Sequence, residues 1–359
     1  MRETAIAHVS ENQELLSNIH GNVGWITLNR PKALNALSLA MIRSFTDLLK
    51  EWEQNTSLNT IIIQGAGDKA FCAGGDVRAV YEAKKAGDFY TCDAFFREEY
   101  TLNAFIHGYT KPYVSLLDGI AMGGGLGIAI NGSHRIVTER AILAMPETGI
   151  GFFPDVGATT FLNKMQGVVG LYVGLTSIRL TAADALWTGL ATHFMPSSSL
   201  PLFKAALKKG TSLEEALTTF CQTSFDQGFL ETHIELIEKH FNQLSLMDIM
   251  ESLAQDSSPF ALNTYSTLRA KSPTSLAVTF RQLQEGKPLS FTERMKREFR
   301  LSQHFIAGHD FAEGVRAVLV DKTHLPRWKP TSLEDVRAED INLFFTSLGE
   351  KELVLGRTP

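Results

Sequence analysis

The stretch from Asp118 to Asp155, DGIAMGGGLGIAINGSHRIVTERAILAMPETGIGFFPD, decides how the rest of the chain is read. Ahead of it lies a short apolar run, Tyr113 to Leu117, bounded by Pro112 and by Asp118-Gly119 in the manner of a buried strand. Three consecutive glycines, Gly123, Gly124 and Gly125, lead into a segment of small apolar residues, Leu126 to Ile130, that suits the start of a buried helix. A strand–glycine–helix junction leaves backbone N–H groups without intrahelical partners and lets another molecule approach them closely. Such donors hold a phosphate or, equally, the oxygen of a reacting carbonyl. The far end of the stretch carries Glu147 and Asp155 on a loop broken by Gly149, Gly151 and Pro154. Donors at one end and carboxyls at the other point to acyl chemistry.

A second bend of the same kind lies upstream. Ala70-Phe71-Cys72-Ala73-Gly74-Gly75-Asp76 follows a β-branched strand, Thr60 to Gln64, and precedes a helix expected from Asp76 through Lys85. Neither bend has the Gly-Lys-Ser/Thr of a phosphate loop, and GGGLG is not GxGxxG. Taken singly, each is more often a tight turn or a close helix–strand packing. Taken together, one N–H from each makes a two-donor oxyanion hole. Isolated loop acids are most often solvated, but a carboxylate beside such a hole acts as a base or nucleophile, and a second carboxyl nearby shifts its pKa. Glu99 sits among aromatics on a helix expected over Phe95 to His107, where an exposed face is the plain reading. The histidines are scattered, without HExxH or GxSxG, and receive no role.

Outward from these bends the chain alternates strands and helices. Leu15 to Asn29 reads as a hairpin turning at Gly21-Asn22. Ser38 caps a helix with apolar positions Met41, Ile42, Phe45, Leu48, Leu49 and Trp52. Helices are expected over Val156 to Leu162, over Val168 to Leu175, and after Thr181. This is α/β architecture. Beyond about Pro201 strand signals vanish, which divides the chain into a core over 1–200 and an α-helical region over 201–359.

The bulk composition narrows the classes. With 359 residues, 44% hydrophobic and 20% charged, the chain is of ordinary globular type and exceeds one typical domain. A net charge of −5 gives no reason to expect nucleic acid or an anionic membrane as partner. Three cysteines without a CxxC pair fit a reducing compartment and speak against structural zinc. The first twenty residues resemble neither a secretory signal nor a transit peptide. A cytoplasmic protein is expected, or a mitochondrial matrix protein if the chain is processed.

The sequence resembles the enoyl-CoA hydratase/isomerase (crotonase) superfamily in NRPKALNAL at 29–37, AFCAGGD at 70–76, GIAMGGGLG at 119–127 and the Pro-Glu before the glycine-rich loop at 146–151. Within it the chain is most similar to the 3-hydroxyisobutyryl-CoA hydrolases. The specific marks are FFREEY at 95–100, MPETGIGFFPDVGA at 145–158, LSQHFIAGHDFAEGVRAVLVDK at 301–322 and PRWKP at 326–330. The resemblance implies a crotonase-like spiral of ββα units with an extended helical C-terminal region. It implies that Gly75 and Gly124 N–H groups hold the thioester oxygen and that the bend of Ala73, Gly75 and Asp76 faces the CoA adenine. Glu147 and Asp155 become the catalytic carboxyls, and with Gly124 and Glu99 they line the substrate pocket. Glu147 attacks the carbonyl or activates water, Asp155 orients the substrate hydroxyl or transfers protons, and Glu99 binds the 3-hydroxyl.

Hydratases of the superfamily carry a glutamate three positions after the middle glycine; that position is Gly127. Ala158-Thr159-Thr160 stand where more glycine and an aromatic residue would be expected, which makes 3-hydroxypropionyl-CoA a second candidate substrate. The reaction so implied is thioester hydrolysis in valine breakdown, using an acyl-CoA, with no metal and no cofactor, in a possible homo-oligomer that is trimer-based or smaller. The alternatives are an enoyl-CoA hydratase or double-bond isomerase using Glu147 alone, and a non-catalytic acyl-CoA binder. Retention of Glu147, Asp155 and Glu99 together opposes the binder.

Overall fold

The computed structural model describes residues 13–223 and 226–356, so the segment read above for targeting signals lies, up to residue 12, outside the described residues. Strands β1 (Leu15–His20) and β2 (Val23–Leu28) pair antiparallel around Gly21, whose φ of +60° suits the turn. Ser38 Oγ accepts from the Met41 N–H at 3.1 Å and starts α1 (Leu39–Gln54). That helix buries Met41, Ile42, Phe45, Leu48, Leu49 and Trp52, the whole apolar stripe of its sequence.

The centre of the fold is a spiral. Its strands come in pairs: β3 (Thr60–Gly65) with β4 (Ala70–Cys72), β5 (Tyr113–Leu117) with β6 (Ile120–Met122), and β7 (His134–Val137) with β8 (Ile142–Ala144). The first member of each pair joins a six-stranded sheet ordered β1-β2-β3-β5-β7-β9, where β9 is His193–Phe194. The second member joins a three-stranded sheet ordered β4-β6-β8. All pairings beyond the hairpin are parallel. Helices close the turns: α2 (Val77–Lys85) and α3 (Phe89–His107) after β4, α4 (Gly124–Ile130) after β6, and α5 (Ala158–Asn163) after β8.

Two boundaries differ from the sequence expectation. Helix α3 starts at Phe89, six residues before the expected Phe95, because Asp88 Oδ1 accepts from the Thr91 N–H at 3.0 Å and caps it there. Helix α5 starts at Ala158, two residues after the expected Val156, because Val156 and Gly157 have φ of +54° and +94°, which no right-handed helix contains.

After α6 (Val169–Thr176) and α7 (Ala182–Trp187), the described residues from Leu200 onward form helices and no strand. Helices α8 (Leu200–Lys208) and α9 (Leu213–Phe220) cover one face of the large sheet, where Phe203, Leu207 and Leu217 meet Val23, Ile62, Val114 and Ile136. The sheet is thus buried on both faces, as parallel sheets require. Then follow α10 (Phe229–Thr232), α11 (Ile234–Phe241), α12 (Leu246–Ala254), α13 (Pro259–Arg269), α14 (Pro273–Gly286), α15 (Phe291–Ala307), α16 (Asp310–Val315) and α17 (Ala338–Phe344). One apolar core runs from Leu15 through α15 and α16 to Leu353, so the helical region shares the core of the spiral. Among the described residues no helix is long and apolar enough to cross a membrane.

Glycine at 125 is a packing requirement of this spiral. A Cβ there would overlap the Cys72 carbonyl oxygen, a backbone atom of β4 that has no rotamer to escape into. Gly125→Ala is expected to cost about 3 kcal/mol. Denaturant unfolding would register this as a lower midpoint at unchanged slope.

Candidate active site

The two glycine bends meet. Residues 30–37 clamp the upstream bend: Ala73 N–H donates to Leu34 O at 2.9 Å, Leu37 N–H to Gly74 O at 2.8 Å, and Asp76 N–H to Leu37 O at 2.9 Å. Asn35 secures that clamp from beneath, its Nδ2 donating to Ala66 O at 2.9 Å and Ala70 O at 2.8 Å. The downstream bend is fixed by Gly123, at φ +49°, and by its N–H donating to Ala144 O at 3.2 Å. As a result Gly75 N lies 3.0 Å from where a Cβ on Gly124 would stand. Among the described residues neither the Gly75 nor the Gly124 N–H donates to a backbone carbonyl. The Asp76 carboxylate is occupied otherwise: it caps α2 and pairs with Arg30 Nη2 at 3.0 Å. Ala73 beside it is partly exposed.

Two carboxyls, Glu99 and Glu147, press on these bends, and a third, Asp155, lies near enough to act on both by charge. Glu99, Glu147 and Asp155 are 2%, 5% and 5% exposed, so the solvated reading of each does not hold in the fold. Glu99 comes from α3, Glu147 opens a 3-10 turn over Glu147–Ile150, and Asp155 lies between that turn and α5. Glu147 Oε1 is 2.6 Å from the place of a Cβ on Gly123, and Glu99 Oε1 would overlap a Cβ on Gly124. Only glycine permits these approaches. Glu99 Oε1 and Glu147 Oε2 are buried without a hydrogen-bond partner among the described residues. Beside a pair of free backbone N–H groups, two such oxygens are placed to meet another polar group.

Burial dominates the electrostatics. It pushes Glu99 and Glu147 well above the ordinary carboxylate range, and the neighbouring Asp155 charge reinforces both shifts. Asp155 is pushed up to about 8 by burial, opposed by a hydrogen bond from Tyr100 Oη to its Oδ2 at 2.6 Å and aided by the charge of Glu298. Burial lowers Lys271 to about 8, and its charge is the cation that favours ionised Glu147. Lys271 Nζ stands 3.4 Å from the place of a Cβ on Gly149, on the far side of the 3-10 turn.

Four residues of this site were not singled out from the sequence: Tyr100, Val156, Lys271 and Glu298. Tyr100 stood inside the quoted FFREEY, but its bond reaches across 55 positions. Val156 fills the space beside Gly127, where a Cβ would lie 2.5 Å from Val156 Cβ and 3.0 Å from Asn103 Oδ1. The loop that carries Asp155 is set in aromatic side chains: Phe152 packs against Phe96 at 5.3 Å and Phe311 at 5.4 Å, and Phe153 stacks on Phe305 at 5.4 Å. Among the described residues no group of three or more His, Cys, Asp or Glu is arranged to hold a metal ion.

Residues 23–345 match the enoyl-CoA hydratase/isomerase family, and the chain belongs to it. It is 47% identical over 353 residues to the mitochondrial 3-hydroxyisobutyryl-CoA hydrolase of Rattus norvegicus, covering 96% of this chain and 91% of that one. To the Homo sapiens protein of the same name it is 46% identical over 355 residues, covering 96% and 92%. Among solved structures, a carnitinyl-CoA dehydratase from Mycobacterium thermoresistibile has a TM-score of 0.91 at 36% identity, covering 96% of this chain and 99% of that one. An enoyl-CoA hydratase from Rhodobacter sphaeroides 2.4.1 has a TM-score of 0.90 at 34% identity, covering 96% and 100%.

The raised carboxyls oppose stability in a defined pH window. Folded Asp155 keeps its proton up to about 8 whereas the unfolded side chain loses it near 3.8, so stability falls as pH rises between these values. Asp155→Asn removes this liability and keeps an acceptor for Tyr100. Its melting temperature should rise above that of the unaltered protein, by little at pH 5 and by more at pH 8. The gap should grow by up to ~1.4 kcal/mol per pH unit. Thermal unfolding at the two pH values checks it.

Proposed function

We propose that this chain hydrolyses the thioester of 3-hydroxyisobutyryl-CoA, releasing CoA and the free 3-hydroxy acid. The observation that carries the reading is the filling of the Gly127 site by Val156. It leaves no room for the first of the two glutamates that add water to a double bond, while Glu147 and Glu99 still press on the glycine bends, with Asp155 buried close by. The whole-length identity to the named hydrolases supports the same choice.

In the proposed reaction the thioester oxygen accepts hydrogen bonds from Gly75 and Gly124 N–H as the carbonyl becomes tetrahedral. Each such donor is worth about 3 kcal/mol in the transition state. Glu147, ionised against the Lys271 charge, supplies the new C–O bond by taking a proton from the attacking water, or attacks the carbon itself to give an anhydride that a water opens after CoA has left. The C–S bond then breaks and the CoA thiolate leaves, to be protonated. Asp155, protonated below about 8, donates to the substrate or relays that proton, and Glu99 receives the 3-hydroxyl. The bend of Ala73, Gly75 and Asp76 faces the CoA adenine, through its backbone and the Ala73 side because the Asp76 carboxylate is already engaged. Water and the thioester suffice; no cofactor enters the reading.

The two solved structures named for dehydration and hydration supply the competing reading, a hydratase working with Glu147 alone. Thiol release from (S)-3-hydroxyisobutyryl-CoA, with 3-hydroxypropionyl-CoA and crotonyl-CoA run in parallel, separates the two. The expected result is rapid thiol release from the 3-hydroxyacyl substrates and an unchanged crotonyl absorbance. Loss of the crotonyl double bond without thiol release would overturn the proposal. Glu147→Gln is expected to lower kcat by roughly 10²- to 10⁴-fold with acyl-CoA affinity kept within a few-fold. In a single turnover in ¹⁸O-water, an unlabelled first product with the label left on Glu147 establishes an anhydride opened at the Glu147 carboxyl carbon, whereas general-base attack labels the product.

A further inference from the structure

The turn that presents Asp155 is gripped by two buried polar side chains of the helical region. Glu298 of α15 is 0% exposed and accepts three hydrogen bonds: Gly157 N–H on Oε2 at 2.7 Å, and Thr159 N–H at 2.8 Å and Thr159 Oγ1 at 2.6 Å on Oε1. Gln282 of α14, equally buried, donates from Nε2 to Pro154 O at 2.8 Å and to Thr159 Oγ1 at 2.8 Å. Between them they hold Pro154, Gly157 and Thr159, which bracket Asp155 and Val156 on both sides.

What they hold is unfavourable in isolation. Val156 is β-branched and has φ of +54°, a conformation costing on the order of 1–3 kcal/mol that persists only where its surroundings over-determine it. That conformation has two consequences at the site: Val156 fills the space beside Gly127, and Asp155 meets Tyr100. A carboxylate at 298 is also a costly way to cap a short helix inside an apolar core. Among the described residues it has three donors but no ion-pair partner at hydrogen-bond distance, and Arg294 favours its charge only from further away.

We infer that Glu298 is a positioning residue of the active site, acting through the Gly157–Thr159 backbone to present the Asp155 carboxyl to Tyr100 and to the acyl pocket. The inference rests on the hydrolase reading for its kinetic consequence only; the geometry stands without it. Glu298 also acts by charge. The groups that face Asp155 are Tyr100 and Glu99 from α3, Glu147 from the 3-10 turn and Glu298 from α15, with Lys271 and Arg294 behind Glu147 and Glu298. Burial lifts Glu298 to about 7 against its three donors, so its charge develops as pH rises past neutrality and disfavours ionisation of Asp155.

The test uses the full chain with Glu298→Gln, which removes the charge and turns an amide N–H toward Gly157, and with Thr159→Val, which removes one donor and leaves the carboxyl. Two measurements are made: kcat and KM for 3-hydroxyisobutyryl-CoA across pH 5–10, and the ligand-free titration of Asp155 by ¹³C-carboxyl NMR, assigned with Asp155→Asn. Glu298→Gln should lower kcat roughly 10- to 100-fold with KM changed less than threefold, as expected for a misplaced catalytic group. It should also move the Asp155 midpoint and the corresponding limb of the pH profile to lower pH. Thr159→Val, which weakens stabilisation of the Glu298 anion, should shift them the same way by less; it carries the test alone if Glu298→Gln does not fold. An Asp155 titration and pH profile that coincide with the unaltered protein in the folded variants would overturn the inference, whatever the loss of rate. Absence of thioesterase activity in the unaltered protein would sink the hydrolase reading and leave the titration to decide the role of Glu298.

Discussion

Carboxyl oxygens pressed onto bare glycine backbone set the terms for this molecule. Glu147 Oε1 stands 2.6 Å from the place of a Cβ on Gly123, and Glu99 takes the corresponding place at Gly124. No other residue allows two N–H donors and three carboxyls to share so small a volume. The three-stranded sheet exists to bring the bends to this meeting: it pairs Cys72 with Ala121 and Met122 with Ala144, so consecutive turns of the spiral end level with one another. The same closeness buries all three carboxyls. The carboxyls therefore hold their protons far above the usual range, and their interactions are stronger than on a surface.

That arrangement is costly, and the helical region bears the cost. Clustered buried carboxyls, a left-handed valine and oxygens without a hydrogen-bond partner among the described residues all oppose folding. Against them stand the aromatic wall around Phe152 and Phe153 and the packing of α14, α15 and α16 on the 147–159 segment. Gly151 and Gly314 admit backbone of the opposing segment, Gly151 against Asp310 O and Gly314 against Ile150 O, so α16 lies directly on the 3-10 turn. A spiral ending near residue 200 would leave this loop half uncovered. The helical region completes the site, and the core it shares with the spiral has no seam.

Much of this was legible in the chain because much of it is local. Ser38, Asp76 and Thr181 cap helices through bonds that span three positions, and the stripe of α1 repeats within one helix. The glycine bends and the loop acids announced themselves by residue type. Strands β4, β6 and β8 did not, since three residues show no period. Burial of Glu99 could not be separated from an exposed helix face, because its neighbours along α3 are both apolar and charged. Tyr100 and Glu298 escaped for a different reason: they act across 55 and 141 positions, and no local pattern records such a meeting.

The pair Gly127 and Val156 carries the argument about chemistry further than the loss of one glutamate would. Had position 127 merely lost its carboxyl, the space would remain and a single substitution could refill it. Here the space belongs to Val156, which reaches it only through a backbone conformation that β-branched residues avoid. That conformation in turn depends on Glu298 and Gln282, two side chains from separate helices of the C-terminal region. On the proposed reading, then, the preference for hydrolysis over hydration is distributed. It resides in a glycine that yields space, a valine that takes it, and a buried carboxylate that holds the valine there. Restoring a glutamate at 127 would meet Val156 before it met a substrate, so the two activities are separated by a rearrangement of the turn.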